Sequence, residues 1–171
     1  RLTRSVYPIL SSLSREFAQS KFRPAFFELP VGIEGETSVP PTRVPTENGH
    51  TVYLTGVVDR LDTWQDGDTT YVRVVDYKSS RHEFSTKSVV EDMNIQLLLY
   101  LFTLTSPENR ALFTDAAGRL PERVRPASAV YMSPDESGKD GVILPCRTGV
   151  VLGEEEILAA ANGDGESDAV Y

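Results

Sequence analysis

Apolar residues at Val6, Ile9, Leu10, Leu13 and Phe17 recur at the three- and four-residue spacing of one helix face, which predicts an amphipathic helix over residues 3–20. RPAFFELPVGIEG (23–35) reads as a strand entered at Pro24. TSVPPTRVPTENG (37–49), rich in Pro and Thr, reads as a loop ending on the turn signal Asn48-Gly49. Two β-branched runs follow, HTVYLTGVVDRLD (50–62) and TTYVRVVDYKSS (69–80). Each predicts a strand, and the link TWQDGD, with Asp66-Gly67 as its turn, predicts that they form a hairpin. SVVEDMNIQLLLYLFTLTS (88–106) predicts a helix of about five turns, apolar on most sides and therefore buried. PENRALFTDAAGRLPERVRP (107–126) is mixed and reads as surface, while ASAVYMSPDE (127–136) and GVILPCRTGVVL (141–152) predict two more strands. GEEEILAAANG (153–163) predicts a short helix with acids at its favourable N-terminal end and Gly163 after it. No stretch repeats. The order helix, strand, loop, hairpin, helix, strands predicts an α/β fold with a mixed central sheet flanked by helices.

Bulk properties narrow the function classes. The 171 residues suffice for one domain with a real core, and 40% hydrophobic with 25% charged residues is ordinary for a soluble globular protein. No apolar run approaches the ~20 residues of a membrane span, and the start has no signal-peptide outline, so the cytoplasm is the expected location and no membrane partner is expected. The chain opens on Arg1 rather than Met, which predicts an excised piece of a longer protein. The single cysteine, Cys146, rules out a disulfide within the chain and a four-cysteine metal site, and His50 and His82 both lie in polar stretches unsuited to a histidine-rich zinc site. Net charge is −8, weighted toward an acid-rich C-terminal run without a base. That balance argues against a free-standing nucleic-acid binder, since affinity for phosphate rests on Lys and Arg; contact with nucleic acid would require local basic residues or a basic partner.

The candidate chemistry sits where the two hairpin strands leave the core. GVVDRLD and VVDYKSS share an outline of β-branched residues followed by an acid, Asp59 in one and Asp76 in the other. Residues i and i+2 of a strand share a face, so Asp76 and Lys78 point one way and Tyr77 points the other, into packing. Neighbouring carboxylates repel unless they share a cation. Oxygen ligands suit Mg²⁺ or Mn²⁺ better than Zn²⁺, and the backbone carbonyl of Tyr77 could add a third oxygen. Lys78 would then stabilise charge on a phosphate in flight, and a metal would activate a water, the outline of phosphodiester hydrolysis. Asp-Tyr-Lys at a strand end is more often solvated surface; the second acid on the paired strand is what tilts the balance. Gln96 and Tyr100 add a further element, polar-tipped and on one face of an otherwise leucine-rich helix. Alone they would read as a core tyrosine and a glutamine at the helix edge.

The set G-V-V-D-R-L-D (56–62), D-Y-K-S (76–79) and Q-L-L-L-Y (96–100), in that order, resembles the PD-(D/E)xK nuclease superfamily and, more narrowly, its RecB-type branch. FRPAFFELPVG, RPASAVYMSPDE and RTGVVLGEEEILAA are most similar to segments of the C-terminal nuclease domain in the AddB-type family of ATP-dependent helicase/deoxyribonucleases, so the resemblance covers nearly the whole chain. It implies a restriction-endonuclease-like α/β core cut short at both ends, forming a single nuclease unit over residues 1–171. The core would be 24–105, with C-terminal strands and a short helix at 125–163 and an acidic tail at 164–171. It implies Asp59 and Asp76 as metal ligands, Lys78 as the catalytic lysine, and Gln96 and Tyr100 as supports of the site or of the DNA backbone. Glu28 matches an acid the family carries on the preceding strand. Implied with them are Mg²⁺, replaceable by Mn²⁺, a DNA substrate, an AddA-like helicase partner, and a role in resecting double-strand breaks for recombinational repair. Two family features are missing from the 171 residues: a histidine or acid on an upstream helix, and the four cysteines of an iron–sulfur cluster. The expectation is that both lie elsewhere in the intact protein. The rival expectations are a scaffold with a nuclease-like fold that does not cut, and a stand-alone RecB-like nuclease.

Overall fold

A computed structural model describes residues 2–34, 38–79, 95–135 and 144–163. The hairpin runs are the centre of the fold. β1 (Arg23–Val31), β4 (Gly56–Asp66), β5 (Thr69–Tyr77), β6 (Arg123–Asp135) and β7 (Leu144–Val151) form one five-stranded sheet in the order β1-β4-β5-β6-β7. β5 and β6 pair in parallel and every other pair is antiparallel, so the sheet is mixed as predicted. The first seven residues of β5 are buried, as a central strand covered on both faces requires. A helix lies on each side. α2 (Ile95–Leu104) packs Leu97, Tyr100, Leu101 and Leu104 against Val72, Val74, Leu61 and Ala129. α3 (Glu155–Asn162) packs Ile157, Ala160 and Ala161 with Phe22 and Tyr71 in a second cluster on the other side.

Several boundaries differ from the sequence reading. The Pro- and Thr-rich loop contains a strand, β2 (Thr42–Pro45), paired with β3 (Thr51–Leu54) in a separate two-stranded sheet. The long predicted strand over 50–62 is therefore two strands divided at Thr55. Continuous β-branched sequence hides that break. The hairpin turn falls on Gly67 and Asp68, one residue later than predicted, because Asp66 still pairs with Thr69 and Gly67 takes the positive φ of 55°. α2 buries one side only; Phe102 is 60% exposed. The first part of that predicted helix, His82, Glu136, residues 141–143 and the acidic tail lie outside the described residues.

The N-terminal helix, α1 (Leu2–Gln19), forms as the spacing predicts, yet Tyr7 and Leu10 are strongly exposed and the side chains it buries include Ser12 and Glu16. Glu16 docks on charge. Its Oε1 accepts from Arg73 Nη2 at 2.6 Å and from Arg60 Nη2 at 3.3 Å, and its Oε2 accepts from Arg147 Nη2 at 3.0 Å. Asp62 Oδ2 completes the network by accepting from Arg73 Nε at 2.8 Å and Arg60 Nη2 at 3.0 Å. Arg60 Nε and Asp62 Oδ1 also lie 2.9 Å apart, though out of hydrogen-bond alignment. Glu16, Arg60, Asp62 and Arg73 are at most 1% exposed, so each charge depends on the others for compensation.

Candidate active site

Strand alternation slips where β1 meets β4. Phe26 and Leu29 of β1 join one core with Leu61 and Val58 of β4, a spacing of three on each strand instead of two. The slip falls on Phe27–Glu28 and on Asp59–Arg60. Glu28, at φ 50°, is the one non-glycine residue with positive φ among the described residues, a conformation that costs roughly 1 kcal/mol or more. It lies between the pairs Phe27↔Arg60 and Leu29↔Val58, hence beside Asp59 in register, with its side chain exposed.

Asp59 stands where the ladder between β4 and β5 stops. The last pair is Arg60↔Val75, and one more step of that register sets Asp59 opposite Asp76. There a side chain replaces the ladder bond, with Asp59 Oδ2 accepting the Tyr77 N–H at 2.7 Å. Asp76 is partly buried. Its Oδ2 is sealed from solvent and lacks an aligned hydrogen bond, although Lys78 Nζ lies 2.8 Å away. We read that contact as a charge pair whose geometry leaves a lone pair of Asp76 unused. The Lys78 amide donates to the Met132 carbonyl at 2.9 Å, which holds the end of β5 against β6. Beside it, Tyr131 pairs with Asp76 across the parallel ladder, and its ring centroid is 5.2 Å from Lys78 Nζ. Burial, and secondarily the Asp76 charge, push the Tyr131 phenol up to about 12.

Tyr77 points to the opposite side, as alternation predicts, but it is 40% exposed and only its hydroxyl is engaged, by Arg60 Nη1 at 2.7 Å. Burial raises its pKa against the opposing pull of Arg60. Arg60 lies between the rings of Phe17 and Tyr77, at 5.3 and 5.7 Å.

Gln96 and Tyr100 meet each other and the start of β4. Gln96 Nε2 donates to Tyr100 Oη at 2.8 Å, and the Tyr100 hydroxyl donates to the Thr55 carbonyl at 3.3 Å. A Cβ on Gly56 would collide with that hydroxyl, so the glycine of the G-V-V-D segment is where α2 needs bare backbone. This pair fastens the helix to the strand that carries Asp59; no hydrogen bond or ion pair joins it to Asp59, Asp76 or Lys78 among the described contacts.

The geometry thus brings together Asp59, Asp76, Tyr77 and Lys78, with Gln96 and Tyr100 one layer behind and Glu28 on the adjoining strand. No group of three or more His, Cys, Asp or Glu side chains is placed to hold a metal among the described residues. A hard divalent cation is nevertheless compatible with two carboxylates, a backbone carbonyl and solvent. The unused, buried Asp76 Oδ2 is the observation that fits one. Sequence reasoning passed over Arg60, Asp62, Arg73, Glu16 and Tyr131. The signal available for the first three was charge inside strand sequence otherwise rich in Val and Leu, which calls for buried partners.

Comparison with known proteins gives a consistent picture. The PD-(D/E)XK nuclease superfamily matches over residues 2–167. The chain is 30% identical over 139 residues to the B-type subunit of the ATP-dependent helicase/deoxyribonuclease of Clostridium tetani, covering 79% of this chain and 11% of that protein. To the protein of the same name from Exiguobacterium sibiricum it is 31% identical over 173 residues, 94% of this chain and 14% of that protein. The Alkaliphilus oremlandii protein of that name is 36% identical over 110 residues, 64% and 9%. The chain therefore spans about a tenth of the length of the curated relatives it matches.

Proposed function

The chain belongs to the PD-(D/E)XK nuclease superfamily, and from that premise we propose that it hydrolyses DNA phosphodiester bonds with Mg²⁺, or Mn²⁺ in its place, as the nuclease part of an AddB-type helicase–nuclease chain. The reading rests on one observation: Asp76 keeps an unused buried carboxylate oxygen between Lys78 and a strand whose Asp59 is fixed by the neighbouring amide. Asp59, Asp76 and the Tyr77 carbonyl would hold the cation. When bound, it supplies Lewis-acid chemistry, polarising a phosphoryl oxygen and acidifying a water. The protein's own part is placement. Tyr77 N–H fixes the Asp59 carboxylate, the β5–β6 ladder fixes the backbone of Lys78, and the ammonium, 40% exposed, faces the position a phosphate would take. Gln96 and Tyr100 hold α2 against the start of β4, and Glu28 lies one strand away as an auxiliary acid.

In the intact protein the substrate would be a DNA strand delivered by a helicase, with end resection in recombinational repair as the setting, an AddA-like helicase as partner and the cytoplasm as location. The names of the relatives support that extension. No described helix is long and apolar enough to cross a membrane. An iron–sulfur cluster, if the intact protein holds one, would need cysteines other than Cys146.

The test is cleavage of linear single-stranded DNA in Mg²⁺ or Mn²⁺, with EDTA and Asp76→Ala as controls. Loss of cleavage in both controls is expected. Cleavage persisting in Asp76→Ala overturns the site, and a well-folded chain inert in either metal favours the scaffold.

A further inference from the structure

A lysine ammonium ends a flexible four-carbon stem, so holding it in front of a reacting phosphate takes more than a backbone anchor. Lys78 has two partners for Nζ: the Asp76 carboxylate at 2.8 Å and the face of Tyr131 at 5.2 Å. The first is compromised by the proposed chemistry, because Asp76 is also the acid that would turn its charge to a cation. The second is not. Tyr131 is 4% exposed, belongs to the core cluster with Val74, Ala129, Leu97 and Tyr100, and pairs with Asp76 along β6, so its ring stays put whatever Asp76 binds. Its phenol stays protonated through the neutral range, so the ring presents a neutral π face rather than a phenolate.

We infer that Tyr131 is the positioning residue for Lys78: its ring face keeps the ammonium in the site once Asp76 is engaged elsewhere, leaving the open side of the lysine for a phosphate oxygen. This inference rests on the nuclease reading above, and it assigns a role to a residue outside the D-Y-K and Q-x-x-x-Y segments. A neighbouring ring is worth enough to matter, since cation–π attraction at a partly desolvated site corresponds to roughly a tenfold change in population or rate.

The test compares Tyr131→Phe, which keeps the ring, with Tyr131→Leu and the volume-preserving Tyr131→Met, which remove it. Melting curves identify variants that fold. Cleavage by Tyr131→Phe should stay within about twofold of the parent, while Leu and Met should lose about tenfold in kcat with KM for DNA and Mn²⁺ affinity unchanged. In a Lys78→Ala background, where residual cleavage is followed in single turnover, adding Tyr131→Leu should cost nothing further. An independent readout is NMR of ¹³C-labelled lysine in saturating Mg²⁺. The Lys78 ε-methylene should be shifted upfield by the ring in the parent and in Tyr131→Phe, and return to an ordinary position in Tyr131→Leu. Equal losses in Phe and Leu would transfer the role to the hydroxyl and overturn the inference. So would an unshifted Lys78 signal in the parent, or additivity in the Lys78→Ala background. A parent chain that shows the ring shift but cleaves nothing sinks the nuclease reading while leaving the Tyr131–Lys78 contact established.

Discussion

Asp59 and Tyr77 are joined by a bond that crosses from side chain to main chain: the Tyr77 amide donates to Asp59 Oδ2 at 2.7 Å, just past the last β4–β5 ladder pair. The strand bearing Asp76 and Lys78 thus sets the orientation of the acid on its neighbour. Asp59→Asn keeps an oxygen for that amide and removes the charge. It should fold within about 1 kcal/mol of the parent, yet lose Mn²⁺ binding and cleavage by about two orders of magnitude or more. Asp59→Ala should show the same functional loss with lower stability, since the Tyr77 N–H loses its acceptor. Titration calorimetry with Mn²⁺ beside a urea melt separates the two variants. An active Asp59→Asn would remove Asp59 from the site.

Gly56 and Tyr100 should behave as a coupled pair. Gly56→Ala drives a methyl into the Tyr100 hydroxyl and should destabilise by about 2–3 kcal/mol through displacement of α2. Tyr100→Phe alone forfeits the bonds with Gln96 and Thr55, about 1 kcal/mol. The double variant should be more stable than the sum predicts, because removing the oxygen frees the space. Additive losses in chemical denaturation would mean that the contact is not what forbids a side chain at residue 56.

Glu16→Ala should be the most damaging single change away from the candidate site. It strips Arg73, Arg60 and Arg147 of a shared buried carboxylate and should cost about 3–5 kcal/mol. Glu16→Gln, which keeps an acceptor oxygen, should cost less. Both are read from denaturant midpoints, and a Glu16→Ala chain of unchanged midpoint would show that α1 is held by its apolar residues instead.

The tyrosines predict an alkaline limit. A folded-state pKa raised above the unfolded value gives stability that is complete below the unfolded pKa and is lost as pH rises through the folded one. For Tyr131, ordinarily near 10 and raised to about 12 by burial, the contribution is intact at neutral pH and falls away between those values, on the order of 2 kcal/mol. Tyr71, raised first by its hydrogen bond to Glu156, and Tyr77, raised by burial, push the same way. Melting temperature should therefore drop across that window, and less steeply in Tyr131→Phe.

The core of the site was legible because its signals are local. A β-branched run followed by an acid, repeated across a short turn, places Asp59 near Asp76 by hairpin geometry alone, and period two places Lys78 on the Asp76 side. What escaped the sequence depends on contacts across long stretches of chain. Thr55 divides one β-branched run into strands of two sheets, a break that propensity does not mark. Glu16 reads as the polar side of an amphipathic helix until the arginines it meets, Arg60, Arg73 and Arg147, are known. Tyr131 is an ordinary core aromatic until parallel pairing sets it beside Asp76.

That parallel pairing also orders the assembly of the site in time. β4 and β5 meet across a two-residue turn, so the two acids can come together within microseconds of that hairpin forming. β6 reaches β5 only after the chain has closed a crossover containing α2, an event burdened by a long loop. Lys78, whose backbone bond and ring partner both belong to β6, is consequently the last member to be immobilised. Pulse-labelled amide exchange during refolding should find Arg60–Val75 protected before Lys78, so a nascent chain would carry a paired acid site before it carried a fixed lysine.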